Sequence, residues 1–153
     1  MIEINHSYIT LDGFTVDGKK CCGKKPEDYA DKLIFVLGTK KPEEISENGI
    51  ENESSLDGMI DSRMHILNAG GECLRLRSFV TNAEVVGCKI ESCGVHNFVF
   101  PSTTVNGDVI YVGTSSNQFN DDKNSRNAGD LTKFIWIHEN EITPRANECV
   151  DVN

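Results

Sequence analysis

Gly71-Glu72-Cys73-Leu74-Arg75-Leu76 is the stretch whose reading decides the fold. It returns as Gly107-Asp108-Val109-Ile110-Tyr111-Val112 and as Asn147-Glu148-Cys149-Val150-Asp151-Val152, with a degenerate earlier copy at Asp31-Lys32-Leu33-Ile34-Phe35-Val36. Each copy opens on a small or polar residue and a charge, and its fourth and sixth places are aliphatic. A second box precedes each copy, anchored on Val16, Ile66, Ile90 and Ile142. Phe14, Met64, Cys88 and Asn140 stand two residues before those anchors. Further back come the pairs Ile9/Leu11, Met59/Asp61, Ala83/Val85 and Ile135/Ile137. Ile66 to Ile90 spans 24 residues without a large insert.

Short runs with period-two alternation, broken at Gly, Asn and Asp, are strand signals, and helical stripes are nearly absent. Boxes recurring in one order suit a solenoid whose coils bury their apolar faces against their neighbours. The chain therefore reads as all-β, a right-handed parallel β-helix of three to four coils. An antiparallel sandwich explains the alternation but not the fixed order of the boxes. Residues 1–153 form a single partial domain with inserts at 17–31, 38–55, 95–106 and 113–130.

A net charge of −9 argues against nucleic acid as partner, because phosphate binding relies on clustered Lys and Arg. No apolar run approaches a membrane span, and no signal peptide is visible. Secretion is expected if the full-length form carries a leader. The six cysteines lack paired Cys-x2-Cys units of the zinc-ribbon kind. Most read as small buried hydrophobes, with a Cys88–Cys93 bridge as the alternative.

Within the box, side chains alternate between core and solvent. Ile34, Leu74, Ile110 and Val150 should face inward, with Val36, Leu76, Val112 and Val152. The outward columns then read Phe35, Arg75, Tyr111, Asp151 and Leu37, Arg77, Gly113, Asn153. With inserts at both strand ends, these columns suggest the floor of a groove.

The runs 9–18 (Ile-Thr-Leu-Asp-Gly-Phe-Thr-Val-Asp-Gly), 70–77 (Gly-Gly-Glu-Cys-Leu-Arg-Leu-Arg), 110–114 (Ile-Tyr-Val-Gly-Thr) and 147–152 resemble right-handed parallel β-helix proteins of the pectate-lyase-like superfamily. In those relatives the last run continues Asp-Ile/Val-Lys-Glu-Gly into further coils. Asn153 stands where that Lys would be, so the chain reads as a fragment. The resemblance implies β-elimination on an acidic polysaccharide. Calcium would bridge protein carboxylates and a uronate, and an Arg or Lys would remove the C5 proton. Asp121, Asp122 and Asp130 are the expected calcium ligands, since a hard cation takes oxygen donors. Arg75 is the expected base. Phe35, Arg77, Tyr111, Asp151 and Arg145 are the expected substrate-binding residues, although an arginine clamps carboxylates more naturally than it accepts a proton. The rival reading is a non-catalytic carbohydrate-binding or structural β-helix. A two-carboxylate hydrolase finds too few outward carboxylates here.

Overall fold

The computed structural model describes residues 1–38, 56–100, 107–115, 130, 132–143, 145 and 147–153. Along these run strands β1 (Ile2–Ile4), β2 (Thr10–Asp12), β3 (Thr15–Asp17), β4 (Ile34–Leu37), β5 (Leu56–Asp57), β6 (Ile60–Ser62) and β7 (His65–Leu67). They are followed by β8 (Leu74–Arg77), β9 (Val80–Val86), β10 (Lys89–Glu91), β11 (Ile110–Val112), β12 (Lys133–His138), β13 (Glu141–Thr143) and β14 (Val150–Val152). A short helix α1 (Val95–Phe98) and a 3-10 turn at Pro26–Asp28 complete the elements. No helix among the described residues is long and apolar enough to cross a membrane.

The strands form three parallel sheets. Their orders are β1-β4-β8-β11-β14, β2-β6-β9-β12 with β5 also beside β9, and β3-β7-β10-β13. After β1 the chain visits the second, third and first sheets in turn, beginning with β2, β3 and β4, and each pass lands one strand further along. The register follows the repeated boxes. Val16, Ile66, Ile90 and Ile142 are partners in one sheet. Leu11, Asp61, Val85 and Ile137 are partners in another, and Ile34, Leu74, Ile110 and Val150 in the third. β1 adds a pairing that the boxes do not announce, with Ile2 beside Ile34 and Ile4 beside Val36.

Burial explains why the boxes keep their aliphatic places. Ile34, Leu74, Ile110, Ile66 and Ile90 are all fully buried, and each such side chain stabilises the fold by about 1.5–3 kcal/mol. Val150 and Val152, on edge strand β14, are instead exposed, as no described strand covers that edge. The corners repeat as well. Gly13, Arg63, Gly87 and Glu139 occupy the same corner of successive passes, and all have positive φ. A left-handed residue there turns the chain sharply from the second sheet to the third. Glycine adopts it freely, whereas Arg63 and Glu139 are held in it at a cost of about 1 kcal/mol each.

The cysteines depart from expectation. Cys73 and Cys93 form a disulfide, their Cα atoms 5.5 Å apart, so Cys93 does not pair with Cys88. Cys88 is buried and directs its thiol to the carbonyls of Asp61 and Val86. The reason is the pass itself: it returns Cys93 beside the start of β8, whereas Cys88 lies before β10 with its side chain turned into the core. Cys21, Cys22 and Cys149 are exposed rather than buried.

Asp61 interrupts an otherwise aliphatic column, between Leu11 and Val85. It is fully buried, and neither carboxylate oxygen has a hydrogen-bond partner. Burial pushes its carboxyl up to about 7. A carboxyl whose folded value is raised weakens the fold as pH climbs, because the unfolded chain releases that proton first. The penalty should start near pH 4 and be complete above about pH 7, reaching on the order of 4 kcal/mol. Asp61→Asn should therefore be more stable than the parent at pH 8 and close to it at pH 4. Urea unfolding at the two pH values measures this, and an equal effect at both would refute it.

Candidate functional site

The first sheet brings Glu3, Phe35, Arg75, Tyr111 and Asp151 into one row, and sets Leu37 beside Arg77. Four of the expected site residues are thus neighbours. The row is not an open floor, however. Arg75, Arg77 and Tyr111 are only 4%, 9% and 8% exposed. Arg75 donates to Glu72 at 3.0 Å, and Glu72, itself fully buried, also lies 3.3 Å from the Lys32 ammonium. The Arg75 guanidinium sits 4.5 Å from the centre of the Tyr111 ring. This is a cation–π contact of the sort that strengthens once water is excluded. Desolvation pushes the Tyr111 phenol up, against the opposing pull of Arg75.

Three passes place a carboxylate just before the strand: Glu72, Asp108 and Glu148, with Lys32 in the first pass. Burial raises the Asp108 carboxyl, and the negative charges of Asp151, Glu148 and Glu72 raise it further. No three carboxylates converge on one point among the described residues.

Asp130, an expected calcium ligand, accepts five hydrogen bonds. Its Oδ2 accepts from the Ser78 amide at 2.9 Å and the Thr114 hydroxyl at 2.7 Å. Its Oδ1 accepts from the amides of Phe79 and Thr132 and from the Thr132 hydroxyl. Ser78 and Phe79 both have positive φ, and their successive amides converge on this carboxylate. Burial alone would raise this carboxyl, but the bonds from Thr114, Thr132 and Ser78 outweigh it and hold the group below the usual range. Asp130 thus pins the turn from β8 to β9. Asp121 and Asp122 lie outside the described residues. Arg145 is exposed in the stretch between β13 and β14.

The histidines are engaged locally: His65 with Glu91 and His138 with Glu84, each at 2.7 Å, and His96 with the Pro26 carbonyl. A feature not singled out from the sequence lies on β12. The alternation Phe134-Ile135-Trp136-Ile137 turns both isoleucines toward the core and leaves Phe134 66% and Trp136 69% exposed. Trp136 is the register partner of Glu84, which bonds His138, and the Lys133 ammonium lies 5.5 Å from the Phe134 ring. The pattern that revealed the strand also held this signal. Comparison with family models, with curated proteins and with solved structures returns no match.

Removing Glu72 takes a buried carboxylate partner from both Arg75 and Lys32. Glu72→Gln should therefore destabilise the protein by about 3 kcal/mol, read as a lower denaturation midpoint, while the exposed pair Lys25–Glu27 should be replaceable at little cost. For Asp130 the sign is opposite to that of Asp61. A depressed carboxyl contributes stability above its unfolded value, and that contribution fades as pH falls through the folded value. Asp130→Asn should lose about 2 kcal/mol at pH 7, and the gap to the parent should narrow in acid.

Proposed function

We propose that this chain is a right-handed parallel β-helix, related to the pectate-lyase-like proteins, that binds an acidic polysaccharide without cleaving it. Three parallel sheets visited in a fixed order support the β-helix, and parallel crossovers are overwhelmingly right-handed. The observation that carries the binding reading is the exposed pair Phe134 and Trp136 on one strand of a rigid sheet. Phe134, at positive φ and outside the β12–β9 register, and Trp136 both project into solvent from this strand. They offer flat apolar platforms for the C–H faces of sugar rings. Lys133, beside Phe134, supplies local positive charge for a uronate, which a protein of net charge −9 needs near its ligand. The Cys73–Cys93 disulfide favours an oxidising compartment, in line with a secreted protein.

The second reading, β-elimination, is favoured by the row of Arg75, Tyr111 and Asp151. Against it, a general base must reach the proton it removes, and Arg75 is buried on Glu72.

Affinity electrophoresis in polygalacturonate decides between the two. The parent should be retarded, Trp136→Ala should lose roughly fivefold in affinity, with each lost ring contact worth about 1 kcal/mol, and no unsaturated uronide should absorb in the ultraviolet. Unsaturated product abolished by Arg75→Ala would establish the lyase instead. Unretarded migration of the parent would exclude the binding reading.

A further inference from the structure

We propose that Cys21, Cys22 and Asp28 form a binding site for one borderline-soft divalent cation of zinc's class, with an open fourth position. This inference stands independently of the polysaccharide reading. The three residues belong to the segment between β3 and β4, whose base is closed by an antiparallel bridge between Lys19 and Tyr29. Lys20 donates to the Asp28 carbonyl at 2.7 Å, Ala30 donates to the Gly18 carbonyl at 2.9 Å, and the His96 ring holds the Pro26 carbonyl. Gly23 has positive φ, and a Cβ there would meet the Tyr29 hydroxyl at 2.5 Å, so the loop closes tightly around that glycine.

Within this frame the two thiol sulfurs and a carboxylate oxygen all lie within 4.8 Å of one another. No other group of three His, Cys, Asp or Glu residues does so among the described residues. Cys21 Sγ is 3.5 Å from Cys22 Sγ and 3.0 Å from Asp28 Oδ1. A tetrahedral site with metal–sulfur bonds near 2.3 Å and metal–oxygen bonds near 2.0 Å needs separations of about 3.8 and 3.5 Å. Exposed side chains reach those values by small rotations. The carboxylate is already oriented: Asp28 Oδ2 accepts the amides of Lys24 at 2.8 Å and Lys25 at 3.2 Å, which turns Oδ1 toward the thiols. Such outer bonds hold a ligand in position ahead of the metal.

Charge also fits. Two thiolates, one carboxylate and a dication sum to one negative charge, set in a loop carrying exposed Lys19, Lys20, Lys24 and Lys25. Without metal, the Cys21 thiol donates to Asp28. Binding therefore displaces two protons to solvent, with no electron transferred. The donor set, two soft sulfurs and one oxygen with room for a water, excludes a calcium-type site and matches a borderline-soft ion.

Cobalt(II), a coloured stand-in for zinc, tests the site in full-length protein whose exposed thiols have been reduced and whose buried Cys73–Cys93 bridge is intact. One equivalent should bind, giving a thiolate-to-cobalt charge-transfer band and tetrahedral visible bands, releasing two protons, and yielding to zinc. Cys149→Ser should change none of this. Cys22→Ser should halve the charge-transfer band and weaken binding at least tenfold, and Asp28→Asn should weaken it roughly tenfold. Unchanged thermal unfolding of these loop variants, read without metal, separates lost ligation from lost folding. The site is refuted if the Cys21→Ser/Cys22→Ser double variant keeps the band, if Cys149→Ser removes it, or if reduced parent binds no cobalt.

Discussion

A parallel ladder in register governs this protein: paired residues on neighbouring strands stack one strand spacing apart, about 4.8 Å. One residue of slip would carry a whole strand's apolar set to the wrong face. The columns Val16-Ile66-Ile90-Ile142 and Ile34-Leu74-Ile110-Val150 are the consequence. So is the repeated left-handed corner at Gly13, Arg63, Gly87 and Glu139. A pass that turned elsewhere would reach its next strand out of step, and this explains why two of the four corners accept a strained non-glycine residue.

The ladder tolerates polar groups only where they are neutralised or where stability is sacrificed. Arg75 and Glu72 illustrate the first case, paired in the interior and covered by Tyr111. Asp61 illustrates the second, with both oxygens unsatisfied between aliphatic neighbours. Among the described contacts, the Arg75 guanidinium is directed at Glu72 and Tyr111. A site that must meet polysaccharide or metal has to stand where the ladder leaves side chains free.

Two such places emerge. On β12 the outward half of the alternation carries Phe134 and Trp136 into solvent while Ile135 and Ile137 complete the core. Between β3 and β4 the chain leaves the ladder altogether, and its own short bonds replace strand pairing as the source of order. There Cys21, Cys22 and Asp28 approach one another without any demand from the core. The rigid sheets supply the framework on which both surfaces are displayed.

The sequence by itself determined the strands, their columns and the parallel order, because period-two alternation and fixed box spacing are local and repeat with each pass. It did not announce β1, whose three residues Ile2–Ile4 give one short alternation and no spacing to compare. It placed Phe35, Arg75, Tyr111 and Asp151 in one row but not at the right depth. Alternation says which side of a strand a residue takes, and only contacts from other elements say whether that side meets water. Pairings between distant residues were likewise beyond it: Cys73 with Cys93, Asp130 with the amides of Ser78 and Phe79, and Cys21 with Asp28. Each depends on where a turn returns the chain in space. That is a property of the assembled tertiary structure and not of any single stretch.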